Sequence, residues 1–511
     1  MTAGGVLVAG TTSDAGKSLV VAGLCRYLSR QGLRVAPFKA QNMSNNSMVC
    51  PDGTEIGRAQ WLQARAARVE PEAAMNPILL KPGSDRRSHV IALGKPYGTL
   101  DAGEYATGRD GLARIAFDTL AELRERFDVV VCEGAGSPAE INLRGGDYVN
   151  MGLARHARLP VVVVGDIDRG GVMASMFGTL ALLNADDQAL LAGWLVNKFR
   201  GDVDLLRPGL DTLTRLTGRP VYGVLPWIEG AWIDSEDALA QAGWQRDPRQ
   251  STHARPLRVA VARLPRTSNA TDVDALAAEP GVTVTLTTDP DTLVAADIAV
   301  LPGSRATVAD LTWLRERGIA DAVRVRAEKG RPVLGICGGY QMLARTIEDD
   351  WESGAGHVDG LGLLPTRVDF HREKVLATPR GAWRGEDVVA YEIHHGVARL
   401  LPGDQDVESF PAGARDVEPF LDGWRSGAVW GTTWHGAFEN DGFRRAWLTE
   451  AARQAGVAWE PASGAPGFGE LRESMLDRLA DAIAENVDTD ALLKLITNGV
   501  SGGLPFVPPG T

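Results

Sequence analysis

The stretch Gly5–Ser18, GVLVAGTTSDAGKS, constrains the fold of this chain more than any other. An apolar run of strand length, Gly5 to Gly10, leads through a glycine-containing loop to Gly16-Lys17-Ser18 and then into the helical run Leu19–Arg30. Strand, loop and helix in that order make a phosphate-binding loop. Backbone N–H groups and the helix N-terminus cradle phosphates, Lys17 reaches the terminal phosphates and Ser18 can hold Mg²⁺. Thr11, Thr12, Asp14, Ala15 and Gly16 are the accompanying candidate nucleotide contacts. The spacing from Gly10 to Gly16 is one residue longer than the usual motif, and a glycine turn before an ordinary helix is the competing reading.

Further strands follow at the intervals that such a fold requires. LRVAPFKA ends at Lys39 and Gln41, and DVVVCEGAG ends at Glu133. In a parallel sheet both ends face the phosphate loop. A carboxylate at Glu133 suits a Mg²⁺ ligand and Lys39 suits neutralisation of phosphate or carboxylate, although either alone could be a solvated charge at a strand end. LPVVVVGDIDRGG places Asp166 and Asp168 at the next edge, where an aspartate can equally cap a helix. LAGWLVNKF ends near Asn197, a candidate reader of the nucleotide base, and RPVYGVLPW closes the series. Strands alternating with helices indicate a doubly wound α/β domain. Between the second and third strands lies a long insert rich in Asn, Gln and Arg, beginning AQNMSNNS. It is too long for a simple crossover. Gln41 and Asn42 at its start are candidate substrate contacts, while a solvated surface excursion is the alternative.

The 511 residues suffice for two or three domains. No apolar run approaches membrane-spanning length, and the N-terminus lacks a basic leader, so a cytoplasmic protein is expected. Four scattered cysteines without ligand or disulfide spacing fit a reducing compartment. A net charge of -12 disfavours nucleic-acid and anionic-membrane partners but not small anionic substrates.

Periodicity fades and charge rises over residues 233–256, which read as a linker between domains 1–232 and 257–455. A second strand series then runs LRVAVARLP, VTVTLTT, ADIAVLPG and RPVLGICGG, indicating another α/β domain. In RPVLGICGGYQML, Cys337 stands between an apolar strand and the start of a helix, with glycines at 335, 338 and 339. That is the shape of a nucleophile elbow. A merely packed cysteine needs no such turn, although most free cysteines are small buried hydrophobes. His435, in VWGTTWHGAFEN, is the candidate base. Gly303 ends the preceding strand at the same edge, so Gly303 and Gly338 N–H groups are candidates for an oxyanion hole; an ordinary strand-ending turn is the other reading. Glu392, His394 and His395 lie in β-rich segments, and adjacent histidines without further ligands are expected to pack or line the cleft rather than bind metal. Residues 456–511 read as a helical extension and tail, with Leu471, Met475, Leu476 and Leu479 on one face of an amphipathic helix.

These motifs carry a resemblance over nearly the whole chain. GTTSDAGKS with its lengthened loop resembles the dethiobiotin synthetase type of P-loop fold, and LPGS, LGICGGYQML and WHGAFEN resemble a class I (triad-type) glutamine amidotransferase domain. Their order resembles the group of cobalamin-biosynthetic amidases that comprises the cobyric acid and cobyrinic acid a,c-diamide synthases. FKAQNMSNNS, EIGRAQ, MNPILLKP, EGAGSPAEINL and DIDRGGV resemble the cobyric acid synthase branch.

The resemblance implies ATP-dependent amidation of the b, d, e and g carboxylates of adenosylcobyrinic acid a,c-diamide, with L-glutamine as nitrogen donor. Cys337 would be the glutaminase nucleophile and His435 its base. Lys17, Ser18, Lys39 and Glu133 would serve ATP and Mg²⁺, and Asn197 the adenine. One departure stands out: many class I amidotransferases have a glutamate two residues after the histidine, where this chain has Ala437, with Glu439 further on. A Cys-His dyad is therefore expected, with its third group unassigned. Ammonia made at Cys337 would have to travel unprotonated to the other domain, which implies a shielded route. The a,c-diamide synthases are the neighbouring alternative, disfavoured by the AQNMSNN insert. A partitioning-type P-loop ATPase switch carrying a degenerate glutaminase module is the alternative of another class.

Overall fold

The computed structural model describes residues 4–82, 87–101, 109–231, 234, 255–401 and 417–509. The chain divides into two compact units, one comprising Met1–Ser44, Cys50–Glu236 and Arg472–Thr511, the other Asn45–Val49 and Asp237–Leu471. Most of the expected linker, 233–256, lies outside the described residues.

The first unit is built on a six-stranded sheet. Its strands are β1 (Gly4–Gly10), β2 (Val35–Phe38), β3 (Val129–Glu133), β4 (Val161–Asp166), β5 (Leu191–Phe199) and β6 (Val221–Pro226). They lie in the order β6-β5-β4-β1-β3-β2, and every pair is parallel. Parallel sheets are covered on both faces, which explains the unbroken valine runs of β3 and β4: Val129–Val131 and Val161–Val164 are all buried. Helix α1 (Lys17–Arg30) follows β1 directly. Because β1 is central and the chain leaves it first to one side and later to the other, the carboxyl ends of β1, β3 and β4 open on a topological switch point, where α/β sheets bind ligands.

The polar insert is a folded substructure. Gln41–Met43, Ile78–Pro82, Arg87–Ala92 and Lys95–Asp101 form a four-stranded sheet, and helix α2 (Arg58–Ala66) lies between the first two of these strands in the chain. Asn42, Gln60, Gln63 and Asn76 are buried, so much of the polarity that suggested a surface excursion faces inward, where each such group needs a partner. Asn76 illustrates this: its Nδ2 donates to the carbonyls of Lys39 and Ile78 at 3.1 and 3.0 Å.

The C-terminal helices also complete this unit. Met475, Leu476, Leu479 and Ile483 of helix Phe468–Asn486 are buried, whereas Leu471 is only half-buried. Arg26 of α1 is ion-paired with Glu473, and Val487 bridges to Gly223 in β6. Asp234, buried, is paired with both Arg58 of α2 and Arg472.

The second unit contains a seven-stranded sheet. Its strands are β7 (Leu257–Ala262), β8 (Val282–Thr287), β9 (Ile298–Leu301), β10 (Val333–Ile336), β11 (Val417–Phe420), β12 (Gly423–Ser426) and β13 (Val429–Thr432). The order is β8-β7-β9-β10-β13-β12-β11. The pairs from β8 to β13 are parallel and the last two pairs antiparallel. A short helix α3 (Gly338–Leu343) follows β10. The β-rich segments read from the sequence form a separate four-stranded sheet that includes Thr366–Ala377 and Glu392–Leu400. Both units are α/β.

Candidate active site

In the first unit the phosphate loop is held open by its own backbone. Gly16 has φ +87° at the helix entry, a conformation that glycine adopts without a Cβ penalty. Thr11 N–H donates to the Val164 carbonyl at 2.9 Å, fixing the loop to β4. Lys17 Nζ donates to the carbonyls of Thr12 and Ser13 at 2.8 and 3.0 Å, so its charge is presented inside the loop. Asn197 Nδ2 donates to the Ala15 carbonyl at 2.9 Å. The neighbouring Lys198, unremarked in the sequence, reaches the Asp14 carbonyl at 2.7 Å and Asp166 at 2.8 Å. Asp166 Oδ1 accepts the Asp168 N–H at 2.9 Å, a local turn at the strand end, and neither aspartate caps the following helix Val172–Ala181, whose N-cap is Gly171.

Glu133, at the end of β3 and 1% exposed, gathers the remaining predicted residues. Its Oε1 accepts from Ser18 Oγ at 2.9 Å and Lys39 Nζ at 2.8 Å. Oε2 accepts from Gln63 Nε2 at 2.6 Å. Burial works against the charged carboxylate, but Lys39, Gln63 and Lys17 outweigh it and hold Glu133 below the usual carboxylate range. Ser18 and Glu133 thus present adjacent hard oxygen atoms, one of them anionic, a donor set suited to Mg²⁺. Gln63 was missed from sequence because one glutamine in a Gln- and Arg-rich helix has no distinguishing pattern. Of the substrate candidates, Gln41 accepts from Tyr148 and Asn42 Nδ2 donates to Gln60 at 3.1 Å.

In the second unit Cys337 occupies a true elbow. Its φ of 49° and ψ of −110° are rare for a side-chain-bearing residue and store about 1–3 kcal/mol of strain. Its N–H donates to the Thr432 carbonyl at 2.8 Å, tying the turn to β13. The flanking glycines are sterically required: a Cβ on Gly335 would lie 2.7 Å from the Tyr340 backbone, and one on Gly339 would lie 2.0 Å from the Leu301 carbonyl oxygen. The other three cysteines are free and buried, and burial pushes their thiols up, to about 12 for Cys50 and Cys132.

His435 follows β13 and is fully buried. Its backbone N–H and carbonyl pair with Tyr391 at 2.9 and 3.0 Å, and the Tyr391 ring stacks on the imidazole with centroids 5.3 Å apart. Nδ1 lies 2.6 Å from Asp272 Oδ2, and Asp272 Oδ1 accepts the Gly436 N–H at 2.8 Å. Nδ1 is thereby assigned as the donor and Nε2 is left for the thiol. Burial disfavours imidazolium, yet Asp272 first and Cys337 second override it and push the His435 pKa up to about 10. These charges stabilise the imidazolium form of His435.

Asp272 was not anticipated. The glycine pair of the expected oxyanion hole does come together with these groups: a Cβ on Gly303 would lie 3.2 Å from His435 Cε1, and one on Gly338 would lie 2.7 Å from Ser304 N. His394 hydrogen-bonds the Gly396 carbonyl through Nδ1 at 2.9 Å, and burial pushes it down to about 4, so it is neutral and packed. Among the described residues no group of three or more His, Cys, Asp or Glu side chains could hold a metal, and no helix is long and apolar enough to cross a membrane.

Comparison with known proteins matches both halves. Residues 6–238 match the CobQ/CobB/MinD/ParA nucleotide binding domain, and residues 258–443 match the CobB/CobQ-like glutamine amidotransferase domain. A cobyric acid synthase of Streptomyces avermitilis is 61% identical, covering 99% of this chain and 99% of its own length. One from Cutibacterium acnes is 61% identical over 96% of this chain and 99% of its own length, and one from Mycolicibacterium gilvum is 57% identical over 99% of each. With relatives this similar along its length, and with a nucleotide binding domain and a glutamine amidotransferase domain matched on one polypeptide, the chain belongs to the cobyric acid synthase family.

Proposed function

We propose that this chain converts adenosylcobyrinic acid a,c-diamide to adenosylcobyric acid, amidating the b, d, e and g carboxylates at the expense of ATP with glutamine as nitrogen source. The observation that carries this reading is the pairing, on one chain, of the Glu133-centred phosphate site with the Cys337–His435–Asp272 constellation. The relatives' shared name supplies the substrate class.

In the glutaminase half, Cys337 thiolate attacks the side-chain amide carbon of glutamine and forms a carbon–sulfur bond. Backbone N–H groups at Gly303 and Gly338 receive the oxyanion. His435 gives its Nε2 proton to the departing nitrogen, which leaves as ammonia, and a thioester remains. His435 then takes a proton from water, the hydroxide adds to the thioester, and glutamate and the thiolate are released. Asp272 holds the Nδ1 proton throughout and stabilises the imidazolium.

In the synthetase half a substrate carboxylate is too electron-rich for ammonia to attack, and oxide does not leave. Its oxygen therefore takes the γ-phosphoryl group of ATP, giving an acyl phosphate and ADP. Ammonia adds to that carbonyl and phosphate departs with the carbon–oxygen bond, leaving the amide. Lys17 places positive charge on the transferring phosphoryl group, and Lys39 neutralises the carboxylate or phosphate beside Glu133. Ser18 and Glu133 would hold Mg²⁺, which neutralises phosphate charge when bound. Asn197, with Nδ2 given to Ala15, would use its carbonyl oxygen to accept from an exocyclic amine such as that of adenine.

Mass spectrometry of the product formed from the a,c-diamide, ATP and glutamine tests the assignment. Four added amides per corrinoid are expected. Conversion of cobyrinic acid to its a,c-diamide instead would move the chain to the sister activity, and glutamine-dependent ATP turnover without any corrinoid would overturn the reading.

A further inference from the structure

The second unit contains a short piece of chain from far outside its own domain in the sequence. Asn45–Val49 belongs to it, although the residues on either side belong to the first unit. These five residues meet both elements that orient His435. On one side, Asn46 Oδ1 accepts the Ala270 N–H at 3.1 Å, and Asn269 Oδ1 accepts the Ser47 N–H at 2.9 Å. This reciprocal pair is buried, with Asn46 8%, Ser47 0% and Asn269 3% exposed. It grips the entry to the single-turn helix Ala270–Val273, which carries Asp272. Asn269 stands there at φ 48°, a left-handed conformation that asparagine tolerates better than most residues. On the other side, Val49 packs in one apolar cluster with Tyr391 and Ile393, with Met48 and Leu376 against them. Tyr391 is the ring stacked on His435.

Hydrogen bonds to backbone groups this deeply buried cannot be replaced by water, so losing one leaves an unsatisfied N–H and frees the turn to move. A carboxylate that must stay within hydrogen-bond distance of an imidazole tolerates little displacement.

We propose that Asn45–Val49 is a brace for the glutaminase triad, with Asn46 and Asn269 as positioning residues that hold Asp272 on His435. The inference rests on the reading of Cys337, His435 and Asp272 as a glutaminase. It makes glutamine hydrolysis depend on a segment that sits close in the chain to Lys39 of the synthetase site. Asn46 is a positioning residue, since it reaches the reacting atoms only through Asp272.

The test uses full-length Asn46→Ala, Asn269→Gly and the double variant. Glycine keeps the left-handed backbone while removing the acceptor. Each single change is expected to lower the glutaminase kcat by roughly ten- to a hundredfold, the scale set by small misplacements of catalytic groups, with KM for glutamine nearly unchanged. The alkaline limb of the pH profile should move to lower pH as His435 loses its carboxylate. Amidation driven by ammonium should persist. The double variant should be little worse than the poorer single, because both bonds hold one element. Unchanged kcat and pH profile in both singles would overturn the brace, as would losses that multiply independently or an equal fall in ammonium-driven amidation. Glutaminase activity surviving in Cys337→Ala would instead overturn the underlying site assignment.

Discussion

Asp272 Oδ2 lies 2.6 Å from His435 Nδ1, although the two residues are 163 positions apart in the chain. The carboxylate comes from the loop beyond β7 and the imidazole from the end of β13, strands that are not neighbours in the sheet. Ala437 stands two residues after His435, and a carboxylate reaches the imidazole from the turn Ala270–Val273 instead; in the glutaminase proposed above, Asp272 is the third group that fixes the tautomer of the Cys-His pair.

Asp272→Asn should lower glutamine-dependent amidation by about 10²–10⁴-fold while leaving ammonium-driven amidation intact. His435 is raised from 6.5 to about 10, with Asp272 as the main favourable cause. A raised pKa means that this pair contributes stability below about pH 6.5 and loses it as pH rises through about 10. The variant should accordingly show an alkaline limb of glutaminase activity at lower pH than the wild type. Its difference in urea midpoint from wild type should be largest in acid and vanish in alkali. An unshifted alkaline limb would remove Asp272 from the triad.

Cys337→Ala and Lys17→Ala separate the two chemistries. The first should abolish glutamine use yet permit amidation at high ammonium, because the phosphate loop and Glu133 are untouched. The second should abolish amidation from either nitrogen source, because it removes the charge held inside the phosphate loop. Counting amides by mass spectrometry with each nitrogen donor reads both outcomes. Glutamine-driven product from Cys337→Ala would refute the nucleophile.

What was legible in the sequence followed from local geometry. The phosphate loop, Lys39 and Glu133 are strand ends in one parallel sheet, and the elbow is announced by glycines whose Cβ atoms would strike backbone. Asp272 was illegible because ATDVDAL reads as an ordinary helix start, where Asp is common for capping alone. Gln63 was hidden in the same way, by a helix whose Gln and Arg suggested solvent although its glutamines are buried. The amphipathic stripe of the last long helix was clear, but an apolar stripe names no partner. The contacts of Arg26 with Glu473 and of Arg472 with Asp234 supply it.

Gln63→Leu tests the residue that composition concealed. It keeps the helix and the approximate volume but removes the donor to Glu133 Oε2, a charge-assisted bond of about 1.5–3 kcal/mol. Amidation should fall about tenfold or more with glutamine and with ammonium alike, while glutaminase activity without ATP stays as in wild type. A selective loss of the glutamine-driven reaction would contradict a role at the phosphate site.

Asp234 offers a prediction about stability rather than catalysis. It is buried between Arg58 and Arg472, both also buried, at contacts that include Arg58 Nε at 2.9 Å. Burial disfavours its charge, but Arg472 and Arg58 outweigh that and lower its pKa. Its contribution is therefore present above the ordinary aspartate range and is lost as pH falls through the depressed folded value. Asp234→Ala would remove the carboxylate that both buried guanidinium groups face, and should cost about 3–5 kcal/mol in urea unfolding at neutral pH. Replacing all three side chains by apolar residues of similar volume should restore most of that loss, since a well-packed apolar set avoids the desolvation of three charges. A loss below about 1 kcal/mol for Asp234→Ala, the scale of an exposed ion pair, would mean that water reaches the cluster and that the C-terminal helix is held by its apolar face alone.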